Sequence, residues 1–128
     1  MVDQPPLDNR HSAKSLLDEV ILAALENSVD AQSLRAIIAL FLEDTDRRLQ
    51  RMQEAYARGD WPRLQQEAHN LKSAAATFGI LDARATARQL DQACQEACRP
   101  RIEEYLSALT ALLPVALEAL DRRYRNPP

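Results

Sequence analysis

Asp60-Trp61-Pro62-Arg63-Leu64-Gln65-Gln66-Glu67-Ala68-His69-Asn70-Leu71-Lys72-Ser73-Ala74-Ala75-Ala76-Thr77-Phe78-Gly79 reads as one helix with both ends marked. Asp60 offers a carboxylate to the free N–H groups of the first turn. Trp61 and Pro62 fall in that turn, where a proline's missing N–H is not needed. Gly79 closes the helix, and Gly59, just before it, is the left-handed cap of the preceding one. The chain has only 2 glycines, so both bracket this helix. Leu64, Ala68, Leu71, Ala75 and Phe78 recur at three- and four-residue spacing and define its buried face.

The same period continues on either side. Leu34, Ile37, Ile38, Phe41, Thr45, Leu49, Met52 and Tyr56 form one stripe over a long helix from Ala31 to Arg58, capped by Asp30. Before it, Leu17, Val20, Ile21 and Leu25 mark a short helix from Ala13 to Asn27, ended by the turn Asn27-Ser28-Val29-Asp30. After Gly79, a helix from about Asp82 to Cys98 buries Ala83, Ala87, Leu90 and Cys94. Pro100 opens a last helix to about Tyr124, with Ile102, Leu106, Leu109, Leu113, Ala116, Leu120 and Tyr124 in its stripe. Pro114 lies inside that helix, but the stripe keeps its phase, which predicts a kink and not a stop. Four long stripes with short connections predict an all-α fold: an antiparallel four-helix bundle with an additional short N-terminal helix. Residues 1–12 read as a flexible tail, 13–124 as the bundle and 125–128 as a C-terminal tail.

Composition agrees and excludes several functions. The 128 residues suit a single domain, 46% are hydrophobic, and only 5% are aromatic. The net charge of −3 and scattered basic residues exclude a nucleic-acid surface, which needs clustered Lys and Arg. No apolar stretch is long enough to span a membrane, and the polar, proline-containing start does not read as a secretory signal. A cytoplasmic, free-standing monomer with reduced Cys94 and Cys98 is expected. Those thiols, one turn apart, could share a metal, but zinc sites want four ligands and the other histidine, His11, lies in the tail. Small core residues are the better reading of them, and no metal site is expected.

His69 then carries the functional reading. At about 100° per residue it lies roughly 140° from the centre of the buried face, with Lys72 roughly 80° from it and Ser73 nearly opposite. The imidazole faces solvent with a cation on its flank, and Ser73 and Ala76 are too small to shield it. A neutral imidazole is a nucleophile. It can take a phosphoryl group by in-line attack, and Lys72 can place positive charge beside the phosphoryl oxygens. There is no Gly-rich loop for a nucleotide and no carboxylate cluster for a metal. The chain therefore reads as a carrier and not an enzyme, without cofactors of its own.

These residues resemble the histidine-containing phosphotransfer (HPt) domains of His–Asp phosphorelays. The family's pattern, Ala-His-x-Leu-Lys-Gly followed by small residues and a glycine, here reads Ala68-His69-Asn70-Leu71-Lys72-Ser73 and closes at Gly79. Phe41-Leu42-Glu43-Asp44-Thr45, Gly59-Asp60-Trp61 and Leu90-Asp91 look like three further family segments, so the resemblance covers roughly Leu16 to Leu120. It implies that His69 is phosphorylated, that Lys72 assists, and that Gly79 lets the next helix turn back. It also implies that Asp91 orients the histidine, a shorter residue than the usual Glu or Gln, and Ser73 stands where glycine is usual. The implied partners are receiver domains of hybrid sensor kinases and response regulators, which bring Mg2+ and dock around Gln65, His69, Ser73 and Ala76. The implied function is to accept a phosphoryl group from one receiver aspartate and pass it to another receiver. A non-catalytic adaptor that binds receiver or kinase domains on the same scaffold is the alternative.

Overall fold

The computed structural model describes residues 16–125. The expected tail at 1–12, residues 13–15 of the first expected helix, and residues 126–128 lie outside the described residues. Among the described residues the fold is all-helical, with five helices: α1 Glu19–Ser28, α2 Ala31–Arg58, α3 Trp61–Thr77, α4 Leu81–Gln95 and α5 Arg99–Arg125. α2, α3, α4 and α5 pack in a ring, each on the next with α5 closing onto α2, and α1 lies against α2. The inward stripes meet in one core that includes Leu34, Met52, Leu64, Leu71, Leu90, Ile102 and Leu113.

Side-chain caps set the starts of the first three helices. Asp18 accepts from the Ile21 N–H at 3.0 Å, Asp30 from Ser33 at 2.8 Å and Asp60 from Arg63 at 3.1 Å. Asp30 and Asp60 are the caps expected from sequence, and Gly59 is left-handed at φ 68°. Asp18 corrects the expected first helix, which was read as unbroken from Ala13. The chain leaves helical geometry at Leu17 and Asp18, where the Asp18 N–H donates to the Gly79 carbonyl at 2.8 Å. The break changes the phase of α1: Leu22 is fully buried, while Val20, expected inside, is 80% exposed.

The later helix ends differ from the sequence reading in an instructive way. α3 stops at Thr77, and Gly79 follows at φ 75° with its N–H donating to Ala76. α4 stops at Gln95 and not near Cys98. There Ala97 takes a left-handed φ of 52°, and the Cys98 N–H reaches back to the Ala93 carbonyl at 3.0 Å. This is the usual glycine-type helix stop made with an alanine, so the expected punctuation residue is missing. α5 runs through Pro114 without interruption to Arg125.

Two polar clusters tie the helices together. Arg99, at the start of α5, lies over the rings of Tyr56 and Trp61 at 5.4 and 5.6 Å, joining the end of α2 to the start of α3. In the middle of the α2–α3 contact, Glu67 is buried, with three arginines on it. Arg48 Nη1 lies 2.8 Å from Oε1, Arg51 Nε 2.9 Å from Oε2, and Arg63 Nε 3.3 Å from Oε2. Burial works against ionising Glu67, but the hydrogen bond and charge of Arg51, followed by the Arg48 charge and the Arg63 hydrogen bond, outweigh it and hold its pKa below the usual Glu value.

Because the folded pKa of Glu67 is depressed, its contribution is complete above the ordinary Glu range and is lost as pH falls through the lower folded value. Glu67→Gln is expected to cost about 1–2 kcal/mol at neutral pH, since Arg63 is more than half exposed and Arg51 about a third, and the pairing is partly screened. The urea midpoint of the variant should fall less steeply with acid than that of the parent. The two left-handed stops predict opposite signs. Ala97→Gly should raise unfolding free energy by roughly 0.5–1 kcal/mol, by relieving a conformation that alanine disfavours. Gly79→Ala should lower it by roughly 1–3 kcal/mol, because a Cβ there would also meet the Asp18 carbonyl oxygen at 3.2 Å and nitrogen at 3.3 Å. Urea titrations of the two variants check both signs.

Candidate functional site

The phase of α3 places the histidine. Leu64, Ala68, Leu71 and Ala75 are fully buried, as the sequence pattern requires, and Phe78 stacks on Phe41 of α2 with ring centroids 4.3 Å apart. Glu67 faces α2. What remains of the helix surface is turned to solvent and to α4, and the His69 side chain lies there, 58% exposed.

Asp91 approaches from α4. Its side chain is only 9% exposed, and its Oδ2 lies 3.4 Å from His69 Nδ1. The other oxygen, Oδ1, accepts from the Gln95 side-chain amide at 3.1 Å. A histidine whose Nδ1–H points at a carboxylate keeps its lone pair on Nε2, the nitrogen turned away from it. With Nδ1–H toward Asp91, Nε2 is the free nitrogen of an accessible ring that has a buried carboxyl group behind it.

The remaining residues singled out from sequence divide in two. Lys72, Gln65 and Ala76 are half-buried on α3, and Ser73 is exposed. Lys72 makes no ion pair among the described residues, so its ammonium is not engaged by a carboxylate there. Ser73 receives, at its carbonyl, a hydrogen bond from Thr77 Oγ1 at 3.1 Å. Gly79 is buried in the turn against Asp18 and shapes the chain without lying on the exposed face.

Three features escaped the sequence reading. Gln95 is one, because a glutamine on a helix surface carries no signal by itself. The Glu67 cluster is another; a carboxylate in the stretch before the histidine gave no hint of its depth. The third is apolar. Ile37, expected in the buried stripe, is 41% exposed, and Leu40 is 67% exposed. With Phe41, Phe78, Asp44 and Arg47 they line a shallow depression of about 450 Å3 where α2 meets the end of α3. Leu40 lies off the α2 stripe, and an apolar residue off the stripe was the available signal. A larger groove of about 720 Å3, between α2 and α5 around Ile38, Leu42, Pro114 and Leu117, contains none of the expected site residues.

Among the described residues, no group of three or more His, Cys, Asp or Glu is placed to hold a metal ion. His11 lies outside the described residues. Among the described residues, no helix is long and apolar enough to cross a membrane.

Comparison with known families gives one match: the Hpt domain model aligns with residues 36–122, about two thirds of the chain. No curated protein and no solved structure gave a significant match.

The two cysteines are free thiols in different surroundings, Cys94 buried and Cys98 half-buried. Burial, aided by the nearby Asp91 carboxylate, pushes the Cys94 thiol up to about 11. Cys94 stays protonated at neutral pH and is a weak nucleophile there. A thiol-reactive dye is expected to modify Cys98 first and Cys94 only on unfolding; mass spectrometry of the digest reads the order.

Proposed function

The chain belongs to the Hpt domain family, and from that premise we propose that His69 is the residue that carries the phosphoryl group. Members of this family take part in histidine phosphotransfer in phosphorelays, as carriers and not as catalysts. The observation that carries the assignment to His69 is the pairing of an exposed imidazole with a buried carboxylate at its Nδ1.

On this reading, His69 Nε2 attacks the phosphorus of a receiver's aspartyl phosphate. The new P–N bond forms as the P–O bond to the aspartyl oxygen breaks, and the receiver's carboxylate leaves with the electron pair. The Nδ1 proton stays on the ring, shared with Asp91, and the positive charge that develops on the imidazole faces that carboxylate. Lys72 offsets charge on the phosphoryl oxygens. The reverse step, onto a second receiver, uses the same groups. Mg2+ and the acidic pocket that binds it belong to the receiver.

The receivers proposed are those of hybrid sensor kinases and response regulators, docking around Gln65, His69, Ser73 and Ala76. Ile37 and Leu40 are exposed apolar residues on α2, apart from that set. Such an interface is transient and modest in area. The ring of helices, joined by connections of two or three residues, is read as an antiparallel four-helix bundle with α1 as the added short helix. It would form a single domain over 13–124, monomeric and cytoplasmic.

The test is transfer from a receiver domain carrying radiolabelled phosphate. Label should appear on the chain, stable to base and lost in acid, and His69→Gln should abolish it. Lys72→Ala should slow transfer roughly tenfold, the worth of one charge-assisted contact in the transition state. Label taken up by His69→Gln at the parent rate would overturn the assignment. Receiver binding without any label would favour the adaptor.

A further inference from the structure

Asp91 is short for its task. Its carboxylate is buried at the α3–α4 contact and reaches His69 Nδ1 only at 3.4 Å, the outer limit of a hydrogen bond. A buried carboxylate needs donors on both oxygens, or it turns toward water or takes up a proton. Among the described residues, no Lys or Arg nitrogen lies within 4.0 Å of it; His69 is its only ionic partner. The other donor is the Gln95 amide, 3.1 Å from Oδ1 and one turn along the same helix.

From this geometry we infer that Gln95 is a positioning residue for His69, acting through Asp91. The Gln95 N–H donates to Oδ1 and fixes the plane of the carboxylate. Oδ2 is thereby aimed at Nδ1, and the ring is held in the tautomer that leaves Nε2 free. Rotation of the carboxylate by a few tens of degrees would lose a contact already at 3.4 Å. Gln95 sits where it does because α4 ends on it. The stop that follows, left-handed at Ala97 and tied back from Cys98 to Ala93, holds the last turn of α4 in place. The neighbouring polar side chains of that turn are engaged with each other: the Gln92 amide reaches Glu96 at 3.3 Å. Gln95 is thus the residue left to serve Asp91.

A side-chain pair at this spacing is worth only a few tenths of a kcal/mol to a helix, so a purely structural role would leave the imidazole unchanged. The inference rests on His69 being the phosphorylated residue, and its test separates the two. Gln95→Met keeps the length without a donor; Gln95→Glu keeps the shape but sets a second anion beside Asp91. Imidazole nitrogen shifts of His69, read by NMR at alkaline pH, report which nitrogen holds the proton. The parent should show mainly Nδ1–H, and both variants should shift population to Nε2–H. Their limiting rate constant for transfer from a saturating phosphorylated receiver should fall roughly fivefold, the worth of one lost orienting hydrogen bond, with the receiver concentration at half-maximal rate unchanged. Variants with the parent's tautomer and limiting transfer rate would overturn the inference, as would a loss confined to receiver affinity or to Tm. Should His69→Gln accept label like the parent, the reading of His69 falls instead, while the tautomer comparison still reports on Gln95.

Discussion

Glu67 is a carboxylate held out of water in the half-turn before His69, and its three arginines come from both sides of the α2–α3 contact. That cluster fixes how α3 is rotated. Leu64, Leu71 and Ala75 face the core on one flank of Glu67. Turning the helix one way would drive the carboxylate among them without its partners; turning it the other would bring leucines into solvent. Either motion costs several kcal/mol by the ordinary terms for unpaired buried charge or exposed leucine. With that rotation set, the position of His69 follows: it is the residue nearly opposite Glu67, on the flank toward α4.

The α3–α4 contact converts rotation into distance. Ala68 and Ala75 on α3, and Ala83 and Ala87 on α4, are all fully buried. Small residues on both helices allow their backbones to come close. That closeness lets a side chain as short as Asp91 reach Nδ1 from the neighbouring helix. The same closeness buries Asp91, which is why its second oxygen needs Gln95.

How much of this was legible in the chain depends on whether the cause is local. Asp30, Gly59 and Asp60 act within one turn of themselves, and each was read correctly. The apolar residues of the buried face of α3 repeat with the helix period and were all read, while the buried Glu67 beside them was not. Asp18 was missed because it caps a helix while its N–H is claimed by Gly79, about 60 residues away along the chain. The stop at Ala97 was missed because alanine signals helix, and only the Cys98-to-Ala93 hydrogen bond forces it left-handed. Ile37 fits the stripe by period, yet among the described residues no neighbouring helix buries it and it is 41% exposed. At the site, His69 and Lys72 were legible as a pair on one helix. The Asp91 contact came only through the family resemblance, and Gln95 not at all, since pairs between helices depend on spacing that a single helix period does not contain.

Ser73 bears on how the site works, on the proposed reading. Glycine at that place would cost the helix about 0.5 kcal/mol relative to serine, through the added freedom of its unfolded backbone. It would also loosen the turn that carries His69. Serine stiffens that turn, and its carbonyl is held in addition by Thr77 Oγ1. The hydroxyl it adds stands on the exposed face, one turn beyond the histidine. A partner must therefore either leave room for it or offer it a hydrogen bond, and a closely fitted pocket that does neither is penalised for a stranded polar group. A substitution that stabilises the carrier thus narrows the set of receivers able to approach Nε2. Selectivity would then arise on the small side chain beside the histidine, while the carboxylate that holds the ring, Asp91, is buried behind it.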